Sequence, residues 1–108
     1  EALKALEKAI ELNPKNDMAW NNQGLTLNNL KRYEEALKAL EKAIELNPKN
    51  DIAWYNIACG NSLKNDKQNA LKNLEQAIRL NTKFKENAKT DEDFKNLWED
   101  DDFKKIVN

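Results

Sequence analysis

Residues 1–16, EALKALEKAIELNPKN, recur letter for letter as residues 35–50, and a diverged third copy, NALKNLEQAIRLNTKF, occupies 69–84. The interval is 34 residues each time, and it also relates Pro14 to Pro48, Asp17 to Asp51, Ala19 to Ala53 and Trp20 to Trp54. A strict period of this length points to small units stacked on one another, each covering its neighbour's apolar face, and away from a globule with a single core. Such a chain reads as a scaffold, whose function lies in the surface that the stack presents.

Each unit has a helical pattern. Between Glu1 and Leu12 the apolar residues Ala2, Leu3, Ala5, Leu6, Ala9, Ile10 and Leu12 fall at spacings of three and four, with charges on the other side. Asn13-Pro14 stops this helix, because the residue before proline is pushed out of the helical region. Asp17 is the predicted N-cap of the next helix, over residues 18–30, which carries Ala19, Trp20, Gly24, Leu27 and Leu30. Gly24 sacrifices about 1 kcal/mol of helix propensity relative to alanine. The expected reason is close approach of the paired helix, with Ala36, Ala39 and Ala43 opposite. Tyr33 opens that second helix, which ends at Pro48, and residues 51–64 and 67–80 repeat the plan. Connections of two to four residues require consecutive helices to pack antiparallel.

The string W-x-x-x-G-x-x-L…Y-E-E-A-x-x-x-L-E-K-A-I-E-L-N-P, from Trp20 to Pro48, resembles the tetratricopeptide repeat. Trp20, Gly24, Leu27, Tyr33, Ala36, Leu40, Ala43 and Pro48 match its signature, as do Trp54, Ala58, Ala70, Leu74 and Ala77 in the next unit. Gln23, Asn61 and Thr82 depart from it, standing where the family prefers a bulky apolar residue, an aromatic and a proline. The resemblance covers residues 1–84 and implies an all-α superhelix of antiparallel helix pairs. The expected units are the second helix of a truncated repeat (1–16), full repeats at 17–50 and 51–84, and a helical cap at 85–108.

The period breaks from Phe84, and the closing segment resembles the cap of such arrays. Thr90 with Asp93 approximates a capping box, Asp100 is placed to cap a final helix, and Phe94, Leu97, Trp98, Phe103 and Ile106 supply an apolar lid. At the opposite end the stripe of Leu3, Leu6 and Ile10 is wider than one neighbouring pair can cover. Part of it is expected to face water, to be covered by upstream repeats or a partner, or to pair copies into a homodimer.

Several chemistries are disfavoured. The chain has no histidine and one cysteine, Cys59, so no metal or cofactor is expected and no base is available to activate the thiol. The carboxylate runs at 91–93 and 99–102 sit at predicted helix starts, where capping explains them, and two isolated glycines form no phosphate loop. Basic residues number 18 and acidic 19, which gives no footprint for nucleic acid. The last 24 residues carry five Lys against eight Asp or Glu. No apolar run approaches a membrane span, and the lone cysteine fits a reducing, cytoplasmic setting.

By resemblance, a ligand would lie along the concave groove lined by the first helix of each pair. In one unit this assigns Met18, Asn21, Asn22, Leu25, Asn28 and Asn29; in the next, Ile52, Tyr55, Asn56, Cys59, Ser62 and Leu63. From Met18 through Leu30 there is no charge, and amide side chains both donate and accept, which suits the backbone of an extended peptide. The predicted function is therefore protein–protein interaction without catalysis. Its alternative is a structural or self-associating repeat module with no groove ligand.

Overall fold

A computed structural model describes residues 2–108 as helices only: α1 (Ala2–Leu12), α2 (Asp17–Asn29), α3 (Tyr33–Leu46), α4 (Asp51–Leu63), α5 (Lys67–Leu80), α6 (Phe84–Thr90), a 3-10 segment (Glu92–Leu97) and α7 (Asp101–Val107). The helix start predicted at Glu1 lies outside the described residues. Helices α2 with α3, and α4 with α5, form the two antiparallel pairs, and α3 and α4 carry the stack from one pair to the next. The result is elongated, 44 × 25 × 19 Å.

The caps differ from expectation by one residue. Asn16, not Asp17, is the N-cap of α2, accepting from the backbone N–H of Met18 (3.1 Å) and Ala19 (3.2 Å), and Asn50 accepts from Ala53 at 3.0 Å. Asp17 and Asp51 are thereby released for another task. Asp17 Oδ2 accepts from Asn47 Nδ2 at 3.1 Å, and Asp51 Oδ2 accepts from Asn81 Nδ2 at 2.8 Å. Each bond ties the start of the first helix of a pair to the end of the second. Asp91, not Thr90, caps the 3-10 segment, while Asp100 caps α7 as predicted. The turns after α2 and α4 are alike: Lys31 (φ 63°) and Asn65 (φ 64°) are left-handed, and Arg32 N–H and Asp66 N–H reach back to Leu27 O and Asn61 O.

Gly24 has a different neighbour from the one expected. A Cβ there would overlap the side chain of Leu40, so the glycine seats a leucine of α3, while Ala36 and Ala39 pack with Leu27. Gly60 does the same between repeats, where a Cβ would lie 2.9 Å from Asn28 Oδ1. Trp20 and Trp54 occupy equivalent sites that are half-buried, not fully buried. Their indole N–H groups donate to Pro14 O (2.8 Å) and Pro48 O (2.9 Å), which holds the polar edge of each ring at the rim.

The identical segments 1–16 and 35–50 make an internal control. Ala36, Ala39 and Ala43 are 0–4% exposed beneath α2, whereas their twins Ala2, Ala5 and Ala9 are exposed. Leu3, Leu6 and Ile10 are half-buried, because α1 turns its leucine side to α2 and its alanine side outward. The uncovered face is therefore built of alanines with Leu12, not of the predicted Leu3, Leu6 and Ile10 stripe.

The cap also holds a surprise. Adding the 34-residue period to α4 (51–63) gives 85–97, within one residue of the span of α6 plus the 3-10 segment (84–97); adding it to the first residue of α5 (67) gives 101, the start of α7. The residue pattern stops at Phe84, but the spacing of elements continues as a shortened third pair, broken at Asp91. Phe94 and Phe103 are fully buried, with Phe84, Leu97 and Val107 around them and Tyr55 stacked on Phe84 at 4.4 Å.

Candidate interaction surface

Helix α2 presents distinct sides. Gly24 and Leu27 face α3, Trp20 packs, as Leu3 of α1 does, against the cluster of Leu27, Ala36 and Ala39, and Asn21 and Asn28 face α4. What remains is a stripe at positions 18, 22, 25 and 29, and all four of its residues, Met18, Asn22, Leu25 and Asn29, are exposed. Spacings of four, three and four keep them on one face of the helix. Met18 and Leu25 are each more than 40% exposed, as is Ile52, the counterpart of Met18 on α4.

The asparagines predicted as one ladder divide into two kinds. Asn21, Asn28 and Asn56 are buried in the seam between α2 and α4. There Asn56 Nδ2 donates to Asn21 Oδ1 (3.0 Å), and Asn28 Nδ2 donates to the backbone carbonyl of Asn56 (3.1 Å). Asn28 Oδ1 is buried without a hydrogen-bond partner, beside Gly60 and a small cavity that Asn56 and Asn61 also line. These three side chains join repeats and are not presented to a ligand. Nothing in the local sequence separates Asn21 from Asn22; the difference is an angle of about 100° around the helix, visible only once α4 is in place.

On α4 the predicted groove residues are covered by the chain's own cap. Tyr55 O–H donates to Asp91 Oδ2 (2.8 Å), Ser62 Oγ donates to Asn96 Oδ1 (2.8 Å), and Asn96 Nδ2 donates to Ser62 O (3.1 Å). Tyr55, Cys59 and Ser62, at spacings of four and three, thus line the seam with residues 91–96. They are buried, and in the free chain they are not open to a peptide.

Cys59, Asp91 and Asp93 bring a thiol and two carboxylates within 4.8 Å of one another, a grouping that sequence distance hides. Burial, reinforced by the two carboxylates, pushes the Cys59 thiol well above its ordinary pKa, the opposite of what a nucleophile or a thiolate ligand needs. Burial first, and then the charge of Asp91, also raise Asp93, and burial raises the Tyr55 phenol far above its usual value.

The architecture and the uncharged exposed stripe define a helical-repeat scaffold. Residues 18–50 and 52–84 each match a family model described as tetratricopeptide repeat. The chain belongs to the tetratricopeptide repeat family. Residues 1–30, α1 with α2, also match a model described as protein prenyltransferase alpha subunit repeat. Among solved structures, MamA (residues 41 to the end) from Desulfovibrio magneticus RS-1 superposes with a TM-score of 0.71 at 21% identity, over 97% of this chain and 62% of that one. At this identity the likeness is one of fold, and the chain spans 62% of the length of the structure it resembles. A comparison with curated proteins gave no match. No helix among the described residues is long and apolar enough to cross a membrane.

Proposed function

We propose that the chain binds an extended segment of a partner protein along the concave side of α2, through Met18, Asn22, Leu25 and Asn29, with Ile52 and the half-buried Leu63 at the far edge. One observation carries this reading: four uncharged side chains stand exposed on one helix face in a chain that is 34% charged. Met18, Leu25 and Ile52 offer apolar contact to alternate side chains of a strand. The amides of Asn22 and Asn29 offer both a donor and an acceptor to its backbone. Because these residues are exposed, substituting them leaves the fold intact, which makes the test clean.

The test is selection of peptides from a displayed random library on the purified chain, followed by affinity measurement with Leu25→Glu and with Asn22→Ala plus Asn29→Ala. Losses of about tenfold or more in both, about 1.4 kcal/mol, are expected at an unchanged melting temperature. Equal affinity in both variants would move the site off α2. A cytoplasmic setting is part of this proposal, since the buried cysteine is kept as a free thiol.

Pairing of copies through α1 is the competing reading. It is favoured by Leu12, which is 74% exposed, and by the absence of any fully buried residue in α1. Leu3, Leu6 and Ile10 already lean on α2, so such a dimer would rest mainly on Ala2, Ala5, Ala9 and Leu12. Sedimentation velocity over rising concentration distinguishes the two.

A further inference from the structure

Three features that each cost stability meet at one place between α2, α3 and α4. Asn28 is 5% exposed, and its Oδ1 has no hydrogen-bond partner. Turning the amide over does not help. Its Nδ2 donates to the backbone carbonyl of Asn56 at 3.1 Å, and a turned amide would set oxygen against oxygen. Asn61 is 4% exposed and its side chain makes no hydrogen bond among the described residues, although Leu27, one period earlier, is an apolar core residue. Gly60 stands inside α4, where a Cβ would come within 2.9 Å of Asn28 Oδ1.

These residues line a slot together with Tyr33, Leu40 and Ile57. It leaves about 10 Å³ for the centre of a water-sized group, which is room for one such group and nothing larger. Leu37, Ile57 and Asn61 also line the wider groove between α3 and α5, which gives the slot a path to solvent. We propose that the slot binds one ordered water, which donates to Asn28 Oδ1 and bonds the Asn61 amide, so that a water completes the joint between the two repeats. The Asn28 amide then uses both ends in the joint, Nδ2 on the Asn56 carbonyl and Oδ1 on the water. Asn61 serves as the second partner in either sense, because an amide both donates and accepts. Gly60 keeps the Asn28 amide free of a neighbouring Cβ. A cation of the same size is the poorer occupant, since Lys64 also lines the slot.

The test records magnetic cross-relaxation from water to side-chain amide protons in the full chain, and counts long-lived waters by the relaxation dispersion of oxygen-17 water. Cross peaks from a long-lived water to the side-chain amides of Asn28 and Asn61 are expected. Asn61→Leu installs the residue found at position 27 and fills the slot. The peaks at Asn28 should then vanish, and the number of long-lived waters should fall by about one. Gly60→Ala presses on the Asn28 amide and should weaken the same peaks severalfold. Amide spectra establish that each variant folds; if neither does, the cross peaks of the unaltered chain decide. Absence of those peaks overturns the proposal, as do peaks that survive Asn61→Leu or a water count equal in the chain and both variants. Peaks displaced by ammonium chloride, but not by sodium chloride at the same ionic strength, would give the slot to a cation and overturn it equally.

Discussion

Asn56 Nδ2 donates to Asn21 Oδ1 across 3.0 Å in the buried seam between α2 and α4, joining residues 35 apart in the chain. The bond is one of the few polar links between successive repeats. Asn56→Ala strands the Asn21 carbonyl in a buried site, Asn21 being 1% exposed, and a cost of about 1–3 kcal/mol is expected. Asn22→Ala, one residue from Asn21 but exposed, should shift stability by no more than about 0.5 kcal/mol. Urea denaturation of both variants checks the contrast, and equal effects would show that the seam is not closed in solution.

Gly24→Ala tests the close approach of α2 and α3. Helix propensity favours alanine by about 1 kcal/mol, but the new Cβ enters Leu40, which is itself 1% exposed and has nowhere to retreat. Overpacking of about 1–3 kcal/mol should win, giving a net loss of stability. A double variant with Leu40→Ala should recover part of the overlap cost, which denaturation cycles would measure as favourable coupling between the two substitutions.

Lys31 holds a left-handed conformation that glycine adopts freely, so Lys31→Gly is expected to stabilise the chain by about 0.5–1 kcal/mol. Asn65, in the equivalent turn, tolerates this conformation better, and Asn65→Gly should gain less. A rise in melting temperature for Lys31→Gly that exceeds the one for Asn65→Gly is the expected result.

Asp93 sits beside Asp91 and the buried Cys59, and burial together with its neighbour's charge lifts its carboxyl above the usual range. A raised acid binds its proton more tightly in the folded chain. Its ionisation therefore weakens the fold as pH rises from about 4 through the raised value, and the loss is complete above it. Asp93→Asn should stabilise the chain at pH 7, with the gain shrinking to nothing as pH falls below about 4. Asp100 behaves in the opposite sense. Its hydrogen bond to Lys67 lowers its carboxyl, so that contribution is present at neutrality and is lost as pH falls below the usual carboxylate value. Melting temperatures of Asp93→Asn and Asp100→Asn from pH 3 to 8 should diverge in sign at neutrality.

Cys59 is 5% exposed and its thiol is held protonated, so modification by a thiol reagent at pH 8 should proceed no faster than the chain opens. Labelling in native buffer at the rate seen in denaturant would contradict the closed seam between α4 and residues 91–96.

The repeat, the helical period and the Asn-Pro stops determined the length and antiparallel pairing of α1 to α5, because those features depend on neighbours within a few residues. They also marked Gly24 as a place of close approach and the stretch from Met18 to Leu30 as an uncharged face. Tertiary structure decided the rest. Identical residues at 1–16 and 35–50 ended with opposite exposure, since burial depends on whether another helix arrives. Asn21, Asn28 and Asn56 became joints, while Asn22 and Asn29 stayed open to solvent, since α4 covers only one side of α2. The cap folded onto Tyr55, Cys59 and Ser62 although its own sequence had lost the repeat. The cap elements keep the repeat spacing because the 3-10 segment packs on α4 and α7 on α5, a constraint set by contacts across the stack and not by local sequence.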